Sequence, residues 1–289
     1  MTLIVSCVTK DGITVSGDMH ITDPDLLRKG HLRITLKTIV LRPDFVVSYA
    51  GSTGHALKSI REAAAALDQG QTYDMIESML AGAPCCISGD VEFLIGAGLG
   101  AEAWISQIVG GAPVRQGRTY IGDPAAYNVF QKVAAATPRI NVHGQAPMPP
   151  ADLEAMTERI RVMRGLEAAV DDPAIASVDG HVVSVLEDRD GLNYAPSGGM
   201  TGPGKISGTG WQPIQFGNAS DGAYHYSLMP PTQAGHPCLA IYFPAGRCGV
   251  LYQPLRSIDG RLFSDVGATE FKASIEDATT LEFLGSMIG

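Results

Sequence analysis

Thr2, Asp18, Lys37 and Gly51 are the residues whose types and spacing can do chemistry together. Thr2 follows the first methionine directly, in MTLIVSCVTKDG. Methionine is normally trimmed ahead of a small residue, and trimming here exposes Thr2 with a free α-amine. One residue then holds both halves of a nucleophilic catalyst: the hydroxyl attacks and the amine takes its proton. An α-amine with a pKa of about 7.7–8 is partly neutral near pH 7 and needs little tuning. A neighbouring lysine adds a positive field, a carboxylate holds that lysine, and a backbone N–H receives charge developing on the attacked carbonyl. Asp18 in VSGDMHIT, Lys37 in LKTIVL and Gly51 in SYAGSTG suit these roles. Adjacent strands of one sheet are expected to bring all three beside Thr2.

The elements that must position them follow from periodicity and turn chemistry. TLIVSCVTK and GITVSGDM flank Asp11-Gly12, a hairpin dipeptide, and RITLKTIVL and FVVSYAGS flank Pro43-Asp44. This places Lys37 inside a third strand. HALKSIREAAAAL repeats Leu57, Ile60, Ala64 and Leu67 at helical spacing, and TYDMIESMLAG predicts a second, shorter helix. VEFLIGAGL, AWISQIVGG and RTYIG predict strands, and AAYNVFQKVAAA a helix. ADLEAMTERIRVMRGLEAAV predicts a long helix with Leu153, Met156, Ile160, Met163, Leu166 and Val170 as its apolar stripe. HVVSVLEDRDGLNYA predicts a strand and hairpin turn. From about residue 197 the pattern changes: SGGMTGPGKISGTG reads as a glycine-rich connection. YHYSLMP, CLAIYFPAGRCGVLYQPL and RLFSDVG then read as late strands. Runs of strands between pairs of helices are not the alternating order of a doubly wound sheet. They predict an α+β fold of antiparallel sheets covered by helices.

Composition removes several classes of function. A net charge of −9 and a pI near 5.2 argue against nucleic-acid binding. No apolar run reaches about 18 residues, so no membrane span is expected. The first residues show neither a basic leader nor a cleavage site, so no signal peptide is expected. Five cysteines without framework spacing suit a reducing compartment, and the expected location is cytoplasmic. His236, Cys238 and Cys248 lack the tight paired spacing of a zinc site, and buried thiols are the plainer reading. IGAGLGA misses the full dinucleotide glycine pattern. Ala50-Gly51-Ser52-Thr53-Gly54 resembles a nucleophile elbow with alanine first, which would pair Ser52 with His181, His225 or His236. The alternative is that Ser52 caps the following helix.

Over about its first 195 residues the chain resembles a proteasome β-type subunit, most of all the bacterial HslV protease. The carrying features are Thr2, Lys10-Asp11-Gly12, Gly17-Asp18 with Thr22, the stretch KGHLRITLKTIV, and the spacings from Thr2 to Asp18 and from Lys37 to Gly51. The resemblance implies a four-layer αββα N-terminal-nucleophile hydrolase sandwich of two antiparallel sheets over residues 2–195, with a β-rich extension over 196–289. It implies that Thr2 is the nucleophile and its amine the base. Asp18 would orient Lys37, which would tune the amine, and the Gly51 N–H would stabilise the oxyanion. Asp172 and Ser177 would support the amine. Where the family has Gly-Ser-Gly before its third helix, this chain has Gly122-Asp123-Pro124. Thr22 and Gly51 would hold substrate backbone, and Ile21, Thr35, Ile39, Tyr49 and Thr53 would line the specificity pocket, with Tyr49 at its base.

The implied activity is that of a threonine peptidase needing no metal and no cofactor. It would act on peptide or unfolded protein inside a ring of identical subunits, with an ATPase unfoldase as a candidate partner. Two alternatives use the same fold: a ring-forming scaffold without activity, and an amidohydrolase acting on a small amide.

Overall fold

The computed structural model describes residues 2–10, 12–22, 24–28, 34–138, 150–178, 182–188, 191–194, 198–200, 223–228, 238–243 and 247–279. The chain divides into two compact units, Met1–Asn193 and Tyr194–Gly289.

The first unit opens with two strands, β1 (Leu3–Thr9) and β2 (Gly12–Asp18), paired with Thr9 opposite Gly12. After the short helix α1 (Pro24–Arg28) come β3 (Thr38–Arg42) and β4 (Phe45–Gly51), turning at Pro43-Asp44. Three helices follow: α2 (Thr53–Asp68), α3 (Tyr73–Ala81) and α4 (Pro84–Ile87). Next are the strands β5 (Val91–Ala97), β6 (Trp104–Val109), β7 (Ala112–Arg115) and β8 (Arg118–Gly122). The helices α5 (Pro124–Ala136) and α6 (Pro150–Asp171) precede β9 (Val182–Asp188) and β10 (Gly191–Tyr194). The strands form two five-stranded sheets, ordered β10-β9-β2-β1-β8 and β3-β4-β5-β6-β7, with antiparallel pairing.

Helices α2 and α3 pack on the second sheet and α5 and α6 on the first. Leu3 and Val5 of β1 meet Ala126 and Phe130 of α5 and Val162, Leu166 and Ala169 of α6 in one buried cluster. The other side of the first sheet faces the second. At Gly96 of β5 an added Cβ would lie 2.9 Å from Val46 Cγ1 and 3.1 Å from Ile13 Cγ2 of β2.

The second unit is one antiparallel sheet in chain order: β11 (Gly198–Met200), β12 (Ala223–Leu228), β13 (Leu239–Phe243), β14 (Cys248–Tyr252) and β15 (Arg261–Ser264). Its helix α7 (Ala268–Thr279) sets Phe271 and Ile275 against Cys238, Ala240, Tyr242 and Leu251.

Several expectations need correction. Lys37 precedes the third strand, which starts at Thr38, although its carbonyl still accepts the Tyr49 N–H at 3.2 Å. Helix α6 buries Val162, Leu166 and Ala169, while Met156 is 41% exposed. The predicted stripe holds at Leu166 and Val170, which pack in that cluster, and is displaced at Met156, while the side chain of Leu153 lies outside the described residues. The physical reason is Gly165, where the Phe130 ring packs directly on the helix backbone. An added Cβ there would lie 2.5 Å from Phe130 Cδ2. Gly165→Ala gains about 1 kcal/mol of helix propensity but overpacks this contact by about 1–3 kcal/mol, so a lower melting temperature is expected. An unchanged or raised one would show that the ring yields freely. Helices α1, α4 and α7 and strand β7 have no counterpart in the expected elements, and β11 falls where a glycine-rich connection was expected. β7 is an exposed edge strand with Pro113 in it, and lacks alternation. Residues beyond Met200 in the glycine-rich stretch lie outside the described residues, as do Asp11, His181 and His236. Among the described residues no helix is long and apolar enough to cross a membrane.

Candidate active site

Thr2 leads into β1 and Asp18 ends β2, so the hairpin itself sets these two side by side. The Asp18 carboxylate is fully used. Its Oδ1 accepts the Thr2 hydroxyl and the Leu3 N–H, the latter at 2.8 Å, and its Oδ2 accepts the His20 N–H at 2.9 Å. Lys37 enters from the second sheet. Its Nζ donates to Thr2 Oγ1 at 2.6 Å and to Asp18 Oδ2 at 3.1 Å. Thr2, Asp18 and Lys37 are 1%, 1% and 4% exposed, so this three-way contact is dry. Burial pushes the Lys37 ammonium below the ordinary lysine range, against the opposing pull of the Asp18 charge and hydrogen bond. A hydroxyl held between a cation and a carboxylate, away from water, is suited to nucleophilic attack.

The expectation that one sheet carries all the groups is therefore wrong: the cluster spans two. Gly51 ends β4 with φ +103° and is exposed, and an added Cβ would lie 2.1 Å from the Asp90 carbonyl oxygen. Only glycine fits there. Among the described residues no hydrogen bond joins Gly51 to Thr2, Asp18 or Lys37.

Ile21, Thr35, Ile39, Tyr49 and Thr53 are all buried, and Thr22 is half-buried. The Tyr49 ring lies beside Thr53 and Thr35, and burial pushes its phenol well above the ordinary range. Its hydroxyl makes no well-formed hydrogen bond. Asp172 turns to its own backbone, accepting the Ala174 N–H at 2.9 Å. Ser177 donates instead to Asp123, which caps α5 by accepting the Ala125 N–H at 2.7 Å. Burial works against the Asp123 charge, but these donors outweigh it and hold its carboxyl below the usual range. The Asp123 N–H donates to the Thr2 carbonyl at 2.7 Å.

Sequence reasoning noted Asp123 only as a departure from Gly-Ser-Gly, and it missed Glu92, whose Oε2 accepts the Gly122 N–H at 2.7 Å. The signal for Asp123 was Asp-Pro at a helix start, a capping residue with proline behind it. For Glu92 it was a lone charge in the apolar run VEFLIGA. Ser52 occupies the N-cap position of α2 without a side-chain cap, and its N–H goes to the Asp90 carbonyl at 2.9 Å. Its candidate histidines 181 and 236 lie outside the described residues. Among the described residues no group of three or more His, Cys, Asp or Glu side chains converges as a metal site.

Comparison with known proteins corrects the family assignment. No family model matches the chain, and no curated protein matches it. Among solved structures it is similar to the Anbu (Gly-1) mutant from Hyphomicrobium sp. strain MC1. The identity is 13% and the TM-score 0.46, over 68% of this chain and 85% of that one. Membership of the proteasome β-type or HslV family is therefore withdrawn: the short motifs that suggested it are not backed by a match along the chain.

Proposed function

We propose that this chain is an amide hydrolase that uses Thr2 as an N-terminal nucleophile and cuts peptide bonds through an acyl-enzyme ester. The observation that carries the reading is the buried contact of the Thr2 hydroxyl with both Lys37 and Asp18. Once Met1 is removed, the freed α-amine takes the Thr2 proton as Oγ1 attacks the carbonyl carbon. The Gly51 N–H receives the oxyanion. The ammonium then protonates the leaving amine, and water, deprotonated by the same amine, hydrolyses the ester. Lys37 holds the hydroxyl from one side and lends its field, and Asp18 fixes Lys37. The two sheets between α2–α3 and α5–α6 are read as the αββα sandwich that this chemistry uses, and Asp172 is assigned no role in it.

An unfolded or peptide substrate would lie along Thr22 and Gly51 as an added strand. Ile21, Thr35, Ile39 and Thr53 would line the specificity pocket with Tyr49 at its base, so small or medium apolar side chains are expected to be preferred next to the cut bond. A peptide series varied at that position checks this; preference for large aromatic or basic residues would refute it. A homo-oligomeric ring belongs to the same proposal, with a native mass of several subunits as its signature.

The deciding experiment is an intact mass spectrum before and after a threonine-directed epoxyketone. The expected result is loss of Met1 and one adduct, absent in Thr2→Ala. Retained Met1 with no adduct would sink the enzyme reading and favour a scaffold. Turnover of small amides alone would narrow the substrate to that class.

A further inference from the structure

In the proposed reaction the nucleophile and the oxyanion donor belong to different sheets, so something must fix the spacing between those sheets. We infer that Glu92 is the positioning residue that does this, through a chain of hydrogen bonds reaching Thr2. The inference rests on the proposed function above. Glu92 lies on β5 opposite Ala50, with the next pair along being Gly51 and Val91. It therefore moves with the strand that presents Gly51. Its Oε2 accepts the Gly122 N–H at 2.7 Å. Gly122 ends β8, opposite Leu3, and the following N–H, of Asp123, donates to the Thr2 carbonyl at 2.7 Å.

The path is short and stiff. β8 is the edge strand of its sheet, so the Gly122 N–H is taken by a carboxylate from the other sheet. Gly122 has φ +102°, and an added Cβ would lie 1.9 Å from the Thr2 carbonyl oxygen, so backbone meets backbone there without slack. Asp123 is fixed in turn by the α5 N–H groups and by Ser177. Glu92 touches no reacting atom; it acts through Gly122 and Asp123. What the path needs from position 92 is an acceptor at the right reach, not a charge.

Three variants of the full-length protein separate these requirements. Glu92→Ala removes the acceptor, Glu92→Asp withdraws it by one methylene, and Glu92→Gln keeps an accepting oxygen at the same reach. Expected are a roughly tenfold lower kcat with KM within about twofold for Ala and Asp, and a kcat within about twofold of wild type for Gln. Amide exchange at Gly122 and Asp123 should speed up about tenfold in Ala and Asp and stay unchanged in Gln. Wild-type kcat and exchange in Glu92→Asp would overturn the inference, as would a Gln variant as impaired as Ala. A wild-type protein that hydrolyses nothing overturns the function reading and the positioning role with it. An active wild type with indifferent Glu92 variants overturns the positioning role alone.

Discussion

Thr2→Ala is expected to lower the proposed peptide turnover by at least about 10³-fold, with the protein melting within about 2–4 °C of wild type. The large kinetic effect follows because the change removes the hydroxyl that both Lys37 and Asp18 hold. The small thermal effect follows because Lys37 and Asp18 still hold each other at 3.1 Å, and Asp18 keeps its two backbone donors. One lost hydrogen bond costs about 1 kcal/mol. Thr2→Ser keeps the hydroxyl and is expected to retain activity within about tenfold. Steady-state kinetics on one peptide decide the matter, and full turnover in Thr2→Ala would remove Thr2 from the mechanism.

Lys37→Met is expected to abolish turnover and also to unfold the protein more easily, by about 3–5 kcal/mol. The pair is buried on both sides, with side chains 4% and 0% exposed, so the Asp18 carboxylate is left without its cation in a dry site. Asp18→Asn is no gentler. Each Asp18 oxygen faces a backbone N–H, from Leu3 and from His20, so an amide nitrogen must confront one of them in either orientation. The double variant Asp18→Asn with Lys37→Met should lose less than the sum of the two single losses, because the second change removes a charge already stranded. Denaturant unfolding of the four proteins measures this coupling. Additive losses would mean that the two side chains do not act as a pair.

The hairpins and most helices were legible because turn dipeptides and repeating apolar positions act locally. Asp11-Gly12 and Pro43-Asp44 mark reversals whatever surrounds them, and Leu57, Ile60 and Leu67 are buried as the spacing of that helix predicts. The contact of Thr2 with Asp18 was also within reach, since one hairpin delivers both. Lys37 joins them as expected, but from the other sheet, and that sheet was not legible. Lys37 sits in an extended segment tied by the Thr35 N–H to the Met19 carbonyl at 2.9 Å, and no local pattern reports which sheet such a segment joins. The α6 face was misjudged in part for a related reason. Gly165 adds nothing to an apolar stripe, yet it admits the Phe130 ring that decides which side is buried. Glu92 meets a backbone N–H of the other sheet and Asp123 offers its own backbone N–H to Thr2, and a sequence shows only side chains.

All five cysteines are free, and Cys7, Cys85, Cys86 and Cys238 are buried, which leaves Cys248 half-exposed at the start of β14. Burial also raises the thiol pKa of Cys7 and Cys238 to about 11 and pushes that of Cys86 upward, which holds back their reactive thiolates. The native chain thus carries one address for thiol-reactive dyes, and it lies in the second unit, far along the sequence from Thr2. A free amino-terminal threonine is a 1,2-amino alcohol, which periodate converts to an aldehyde that thiol reagents ignore. Periodate labelling of the terminus therefore removes the amine and hydroxyl that the proposed reaction uses, whereas a label on Cys248 leaves both in place.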